Sequence, residues 1–397
     1  MFAVLSSVRK VLRPAALIGA MALTAACDPV ALPGLGGGQA GRGGPQIDPA
    51  QPVQVALLVP QSDQGAAPVA QSLENAVRLA ISEQSSARID LRVYDTAGVA
   101  STAAARAQQA VDEGAKIILG PLFGENANAV GLAVADEGVN VLSFSNNPSI
   151  AGGNVFVLGP TFNNTADRLM RYARQQGKRN VVIVHSRDVP GQFGKTAIEQ
   201  AAAANNIQIT SAEGYDLSVE GVTATARAAA AAIQTGAADS VFITTDATNA
   251  AMPMLLNLLP QNGVAPGQVQ FIGLTRWDVR PDLFDLPGAQ GAWFALPDKA
   301  RQDAFAGRYR STFGDAPHPL ASLGYDGIAA IALLAGRGRA DALTGRALTS
   351  ASFTGTGGVF RLMSDGTNER ALAIASVTNN QMVILDPAPS RLSGPGL

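Results

Sequence analysis

The feature that most constrains this chain is an alternation that runs twice along it. Short apolar runs bounded by turn residues take turns with segments whose apolar residues recur at helical spacing. "VQVALLVP" (Val53–Pro60) is followed by "APVAQSLENAVRLAIS", in which Val69, Leu73, Ala76, Val77, Ala80 and Ile81 fall on one helical face. "IDLRVYD" (Ile89–Asp95) precedes "STAAARAQQAVDEG", which stops at Gly114, and "KIILG" and "VNVLSF" flank "ENANAVGLAVADEG". The cycle restarts with "DRLMRYARQQG", "NVVIVH", "GKTAIEQAAAANN", "IQITSAE", "ATARAAAAAIQTG", "SVFITT" and "VQFIG". Strands alternating with helices predict βαβ units, hence parallel sheets covered by helices on both faces. Two series predict two lobes of doubly wound α/β type.

The end of the chain breaks this rhythm. "AFAGRYRSTFG" and "YDGIAAIALLAGRG" have helical patterns, and "GVFRLMSDGTNERALAIASVTNNQMVILD" reads as strands joined by turns at "SDGTN" and "TNNQ". The last residues, 387–397, are expected to be disordered.

The beginning is different again. Arg9, Lys10 and Arg13 precede an apolar segment, Ala15–Ala26, that ends in small residues, with no acid before Asp28. That is the order of a secretory signal peptide, and the apolar run is shorter than the ~20 residues of a membrane span. "LTAAC" (Leu23–Cys27) resembles the bacterial lipobox and contains the sole cysteine of the chain. The resemblance implies cleavage before Cys27 and acylation of its sulfur and new amino end. Thr24 stands where a large apolar residue is usual. The membrane, inner or outer, is left open. Residues 27–52 then form a glycine- and proline-rich tether, whose typical span is about 25–30 Å. Losing residues 1–26 removes three basic residues and no acid, taking the formal charge from −2 to −5. No basic face for nucleic acid is expected.

In open parallel sheets, ligands sit beyond the carboxyl ends of the strands. The segments there are "PQSDQG" with Gln61 and Ser62, "GPLFGEN" with Phe123, Gly124 and Glu125, and "SFSNNPS" with Ser145, Asn146 and Asn147. In the second series they are "HSRDVPGQFGK" with Phe193, "TDATN" with Asp246, and "GLTRWD" with Arg276. Taken singly, Ser, Asn and Asp here read as helix caps; together they outline a cleft. No catalytic site is expected. His185 and His318 are far apart in sequence, no cluster has zinc-ligand spacing, and no nucleophile elbow or phosphate-binding glycine loop stands in its proper context. No cofactor is expected.

"VALLVP", "LRVYDTAG", "IILGPLFGENANAV" and "NVLSFSN", in this order, resemble the type I periplasmic-binding-protein fold of the leucine/isoleucine/valine-binding superfamily. "VYDT" and "GPL" resemble in particular the C-terminal domain of LpoA-type penicillin-binding-protein activators. The likeness spans about Val53 to Asp386. It implies two lobes joined by three crossovers, near Leu158–Asn163, Phe294–Asp298 and Ser350–Gly357. One lobe would be 53–160 with 297–350, the other 161–296 with 351–386. It also implies a lipid-anchored binding module on the periplasmic side of a membrane, stimulating a class A penicillin-binding protein. The alternative is a transporter's solute-binding protein closing on a small polar ligand. Amino-acid-binding relatives hold the ligand carboxylate at positions matching Phe123–Glu125 and Ser145–Asn147. Their cleft tyrosine falls on Phe193, and the acid that holds the ammonium falls on Leu274–Arg276. These departures argue against a standard free amino acid. The helical-repeat domain of enteric LpoA proteins has no counterpart, since the tether occupies its place.

Overall fold

The computed structural model describes residues 44–392; the expected signal peptide, Cys27 and most of the tether lie outside them. The first series gives β1 (Val53–Val59), α1 (Ala67–Glu83), β2 (Ile89–Asp95), α2 (Ala100–Asp112), β3 (Ile117–Leu119), α3 (Gly124–Ala133), β4 (Val141–Ser143) and β5 (Val155–Val157). The second gives α4 (Phe162–Gln175), β6 (Asn180–Ser186), α5 (Val189–Ala204), β7 (Gln208–Tyr215), α6 (Val219–Gly236), β8 (Ser240–Ile243), α7 (Ala251–Gln261), β9 (Gln270–Gly273) and β10 (Trp293–Leu296). Then follow α8 (Lys299–Phe313), α9 (Ala321–Ala335), α10 (Gly345–Thr349), β11 (Ser352–Gly355), β12 (Gly358–Leu362), β13 (Asn368–Arg370), β14 (Ala373–Thr378) and β15 (Gln381–Asp386).

The first lobe is a parallel sheet in the order β2-β1-β3-β4-β5. Strand side chains alternate between faces, and β1 feeds two separate cores. Val53, Val55, Leu57 and Val59 join one cluster with α1 and α9, while Ala56 and Leu58 join another with α2 and α3. Helices on both faces explain why β1 is apolar throughout Val55–Val59. Each fully buried Leu or Val here contributes roughly 1.5–3 kcal/mol.

The second lobe has the order β15-β14-β10-β9-β8-β6-β7. Its five strands from β10 to β7 are parallel, and the β14–β15 hairpin adds an antiparallel edge. Asn379 and Asn380 both adopt positive φ, 51° and 60°, in the two-residue turn between Thr378 and Gln381. Asparagine tolerates that region, which such tight hairpins require.

Three connections join the lobes: Leu158–Thr161 after β5, Pro297–Asp298 after β10, and Ala371–Leu372 after β13. The first two end in helix caps. Thr161 Oγ1 accepts from Asn164 N at 3.3 Å, and Asp298 Oδ1 accepts from Arg301 N at 3.1 Å. The third lies downstream of the expected Ser350–Gly357, because Phe353, Phe360 and Leu362 are buried in the first lobe's core. The small sheet β11-β12-β13 therefore belongs with the first lobe, and the boundary drawn at 350/351 is corrected accordingly.

Both ends of the expected body also move. Ile47, assigned to the tether, is only 4% exposed, and its N–H donates to Ala340 O at 2.9 Å. One apolar side chain and one backbone bond suffice to seat residues 44–52 on the first lobe. Beyond β15, where disorder is expected, Ala388 packs against the second lobe's core; residues 393–397 lie outside the described chain.

Candidate functional site

The loops beyond the first lobe's strands are stitched to each other. Ser143 Oγ donates to Pro121 O at 3.1 Å and accepts from Ser145 N at 3.1 Å. Buried Ser145 turns its Oγ to Asn147 N at 3.1 Å, and Asn147 Oδ1 accepts from Ser149 N at 2.9 Å. A Cβ on Gly124 would lie 3.4 Å from Ser145 Oγ, so the loops after β3 and β4 meet at the N-terminus of α3. Gln61 donates to Glu74 Oε2 at 3.0 Å, and Ser62 N donates to Asp95 Oδ1 at 3.2 Å. Those contacts fix the loop after β1 to its own lobe.

In the second lobe, Asp188 caps α5 by accepting from Gly191 N at 2.8 Å, and Phe193 in the next turn stands 48% exposed. Asp246 accepts from Thr248 N at 2.8 Å and serves a turn. Arg276 forms a two-pronged pair with Asp278: Nε to Oδ1 at 3.0 Å and Nη2 to Oδ2 at 2.5 Å.

Two cavities lie where the lobes face each other. One, of about 260 Å³, runs along the connections and is walled by Asn146, Thr161, Phe162, Leu274, Arg276, Pro297, Asp326 and Arg370 among others. The other, of about 620 Å³, is walled by Asn146, Asn147, Phe162, Phe193, Gln200 and Asp365 among others. Asn146, Thr161 and Phe162 border both. Thus the structure gathers Asn146, Asn147, Phe193 and Arg276 around the cleft. Gln61, Ser62, Phe123, Gly124, Glu125, Ser145 and Asp246 lie outside the walls of these cavities. Their loops point at the cleft from strand ends, but the side-chain bonds above are local.

Sequence reasoning missed the residues at the connections. Asp326, on α9, is 1% exposed as a side chain; its carboxylate accepts from Thr356 N at 2.7 Å, Thr356 Oγ1 at 3.1 Å and Arg370 Nη1 at 2.8 Å. Arg370 also donates to Leu158 O, through Nη2 at 2.7 Å and Nε at 3.2 Å, and its guanidinium lies 4.7 Å from the Phe360 ring centroid. The turn after Thr356 reaches the second connection, where Asp298 N donates to Gly357 O at 2.9 Å. One buried ion pair and one turn therefore touch all three connections. A signal existed: "YDG" puts a charge inside an apolar segment, where a buried charge must be paired. Among the described residues no group of three or more His, Cys, Asp or Glu could hold a metal ion, and no helix is long and apolar enough to cross a membrane.

Two lobes, three connections and a walled cleft define a two-lobed binding protein. Residues 52–381 match the family described as "Periplasmic binding protein". The chain belongs to that family, and its fold is the type I arrangement. No curated protein matches the chain significantly.

Among solved structures, a Rhodospirillum rubrum protein assigned to a branched-chain amino acid ABC transporter is 17% identical. The match has a TM-score of 0.72 and covers 84% of this chain and 100% of that one. An ABC transporter substrate-binding protein from Desulfitobacterium hafniense, in complex with Leu, is 20% identical, with a TM-score of 0.59 and coverage of 84% and 100%. A Rhodopseudomonas palustris BisB5 solute-binding protein, in complex with 3,4-dihydroxybenzoic acid, is 18% identical, with a TM-score of 0.55 and coverage of 85% and 98%. At these identities the likeness is one of fold. The expected kinship with LpoA-type activators is not carried by any of the three.

Proposed function

We propose that this chain is the solute-binding component of an ABC transporter and that its lobes close on a small organic ligand. The observation that supports this best is the cleft, whose walls come from both lobes and from the connections between them. Its relatives of the same fold are transporter components. Activation of a class A penicillin-binding protein ranks below it, because neither the cleft nor these relatives support that role. The reading is of a binding protein, not an enzyme. Family membership implies a periplasmic location, and acylation of Cys27 would hold the protein at the membrane; mass spectrometry of the mature amino terminus tests that.

The function itself is tested by thermal denaturation against a panel of amino acids, carboxylates, amines, sugars and nucleosides. A ligand that binds only the folded state raises Tm with concentration by mass action. Small-angle scattering with that ligand is expected to show a smaller radius of gyration, as hinge closure requires. A flat Tm across the panel overturns the reading.

A further inference from the structure

The charges around the cleft are unevenly committed. The acid in the wall of the smaller cavity is Asp326, and that of the larger is Asp365. Asp326 is buried and already accepts three hydrogen bonds, one of them from Arg370. Asp365 sits exposed at a turn, where Oδ1 accepts from Thr367 N at 2.9 Å and Thr367 Oγ1 at 2.6 Å. Neither offers a desolvated carboxylate to a ligand ammonium.

The cations differ. Arg370 spends all three nitrogens on Asp326 and on Leu158 O. Arg276 uses Nε and Nη2 on Asp278, and among the described residues its Nη1 has no partner. Its side chain is 38% exposed, against 15% for Asp278. The guanidinium thus stands in the cavity wall with its counter-ion behind it. An ammonium placed there meets a like charge. A carboxylate meets the uncommitted Nη1 as a charge-assisted donor. The rest of the wall includes Phe162, Leu274, Leu320, Leu323 and Val359, which suit an apolar body. The volume, about 260 Å³, lies just below the ~300–1,000 Å³ range of ligand sites, so the body is small.

We infer that the ligand is a small apolar carboxylate without an α-ammonium group, its carboxylate held by Arg276. This rests on the solute-binding reading above.

The test is isothermal titration of the purified protein with 4-methylpentanoate, benzoate, leucine and 3-methylbutylamine, alongside the thermal panel. Trp277, adjacent to Arg276, provides a fluorescence readout. The carboxylates are expected to bind at least tenfold more tightly than leucine, and the amine not at all. Arg276→Gln is expected to weaken the carboxylates at least tenfold, with Arg276→Lys recovering part of the loss. Asp278→Asn, which releases Arg276 from its counter-ion, is expected to tighten them at least threefold; weakening in a folded Asp278→Asn protein counts against the inference. Leucine binding as tightly as 4-methylpentanoate overturns the inference and leaves solute binding standing, as does a panel hit from sugars or nucleosides alone. Silence across the whole panel overturns both.

Discussion

Arg370 and Asp326 pair at 2.8 Å within the first lobe, beside the connections, and the same guanidinium holds the Leu158 carbonyl of the first connection. The pair is buried, with side chains 12% and 1% exposed. Removing either partner strands a charge away from water, at a cost of about 3–5 kcal/mol. Arg370→Ala and Asp326→Ala are each expected to lose that much in urea denaturation. The double variant is expected to lose less than the sum, because the stranded charge is then gone.

Gly159 sits in the first connection with its N–H donated to Ser145 O at 3.1 Å. A Cβ there would stand 2.5 Å from that same oxygen and 2.9 Å from Asn146 Cα, both backbone atoms. Gly159→Ala must push the loop that carries Asn146. The expected loss of stability is about 1–3 kcal/mol. Ligand affinity is expected to fall with it, since Asn146 borders both cavities; calorimetry and chemical denaturation read the two effects separately.

His318 gives the stability a pH dependence of definite sign. Its N–H donates to Ser72 Oγ at 2.9 Å, and its Nδ1 accepts from Leu320 N at 3.2 Å, which requires that nitrogen to be unprotonated. Burial pushes its pKa below the ordinary histidine value. Below about pH 6.5 the unfolded chain takes up a proton that the folded one refuses. Stability contributed by this group is present above that pH and is lost as the pH falls towards the folded pKa. Comparing urea midpoints between pH 7 and 5, His318→Gln is expected to show a shallower decline than the parent protein.

Phe193 projects from α5 into the larger cavity while nearly half exposed. Being nearly half exposed, it contributes little to the stability of the unliganded protein, so Phe193→Ala is expected to leave the unliganded Tm close to that of the parent. On closure the ring leaves water, which is worth ~1.5 kcal/mol or more for a phenyl side chain. Ligand affinity is therefore expected to drop about tenfold. Equal affinities would place Phe193 outside the closed cleft.

The central strand β1 was legible because two-faced burial writes it as an apolar run, and the edge strand β2, "IDLRVYD", because its apolar residues alternate with polar ones; both fall where the pattern places them. β10 was harder to read. Its "WFAL" is short, and its place in the sheet comes from pairing with the preceding strand β9 and with β14, which is far from it in sequence. Helix α7 is obscured by Pro253 and Pro260. The first lies in the opening turn, where a missing N–H costs no helical bond, and the second lies one residue from the end. In the site, loops beyond strand ends could be named in advance, and of the residues named on them Asn146, Asn147, Phe193 and Arg276 line the two cavities. Thr161 and Phe162 fall in the crossover expected near Leu158–Asn163 without having been named as cleft walls, and Asp326 and Arg370 meet them there because Phe353 and Phe360 move the third connection about twenty residues along the chain.

That displaced connection also bears on how the molecule is made. The first lobe begins at β1 yet needs Phe353 and Phe360 to finish its core, and the second begins at α4 yet needs β14 between β10 and β15. Each lobe is thus a discontinuous unit whose closing piece follows strands of the other lobe along the chain. Contacts of such long sequence separation form late and slowly. A nascent chain that has not yet exposed β11 to β15 holds no finished lobe, so it stays threadable until those strands emerge.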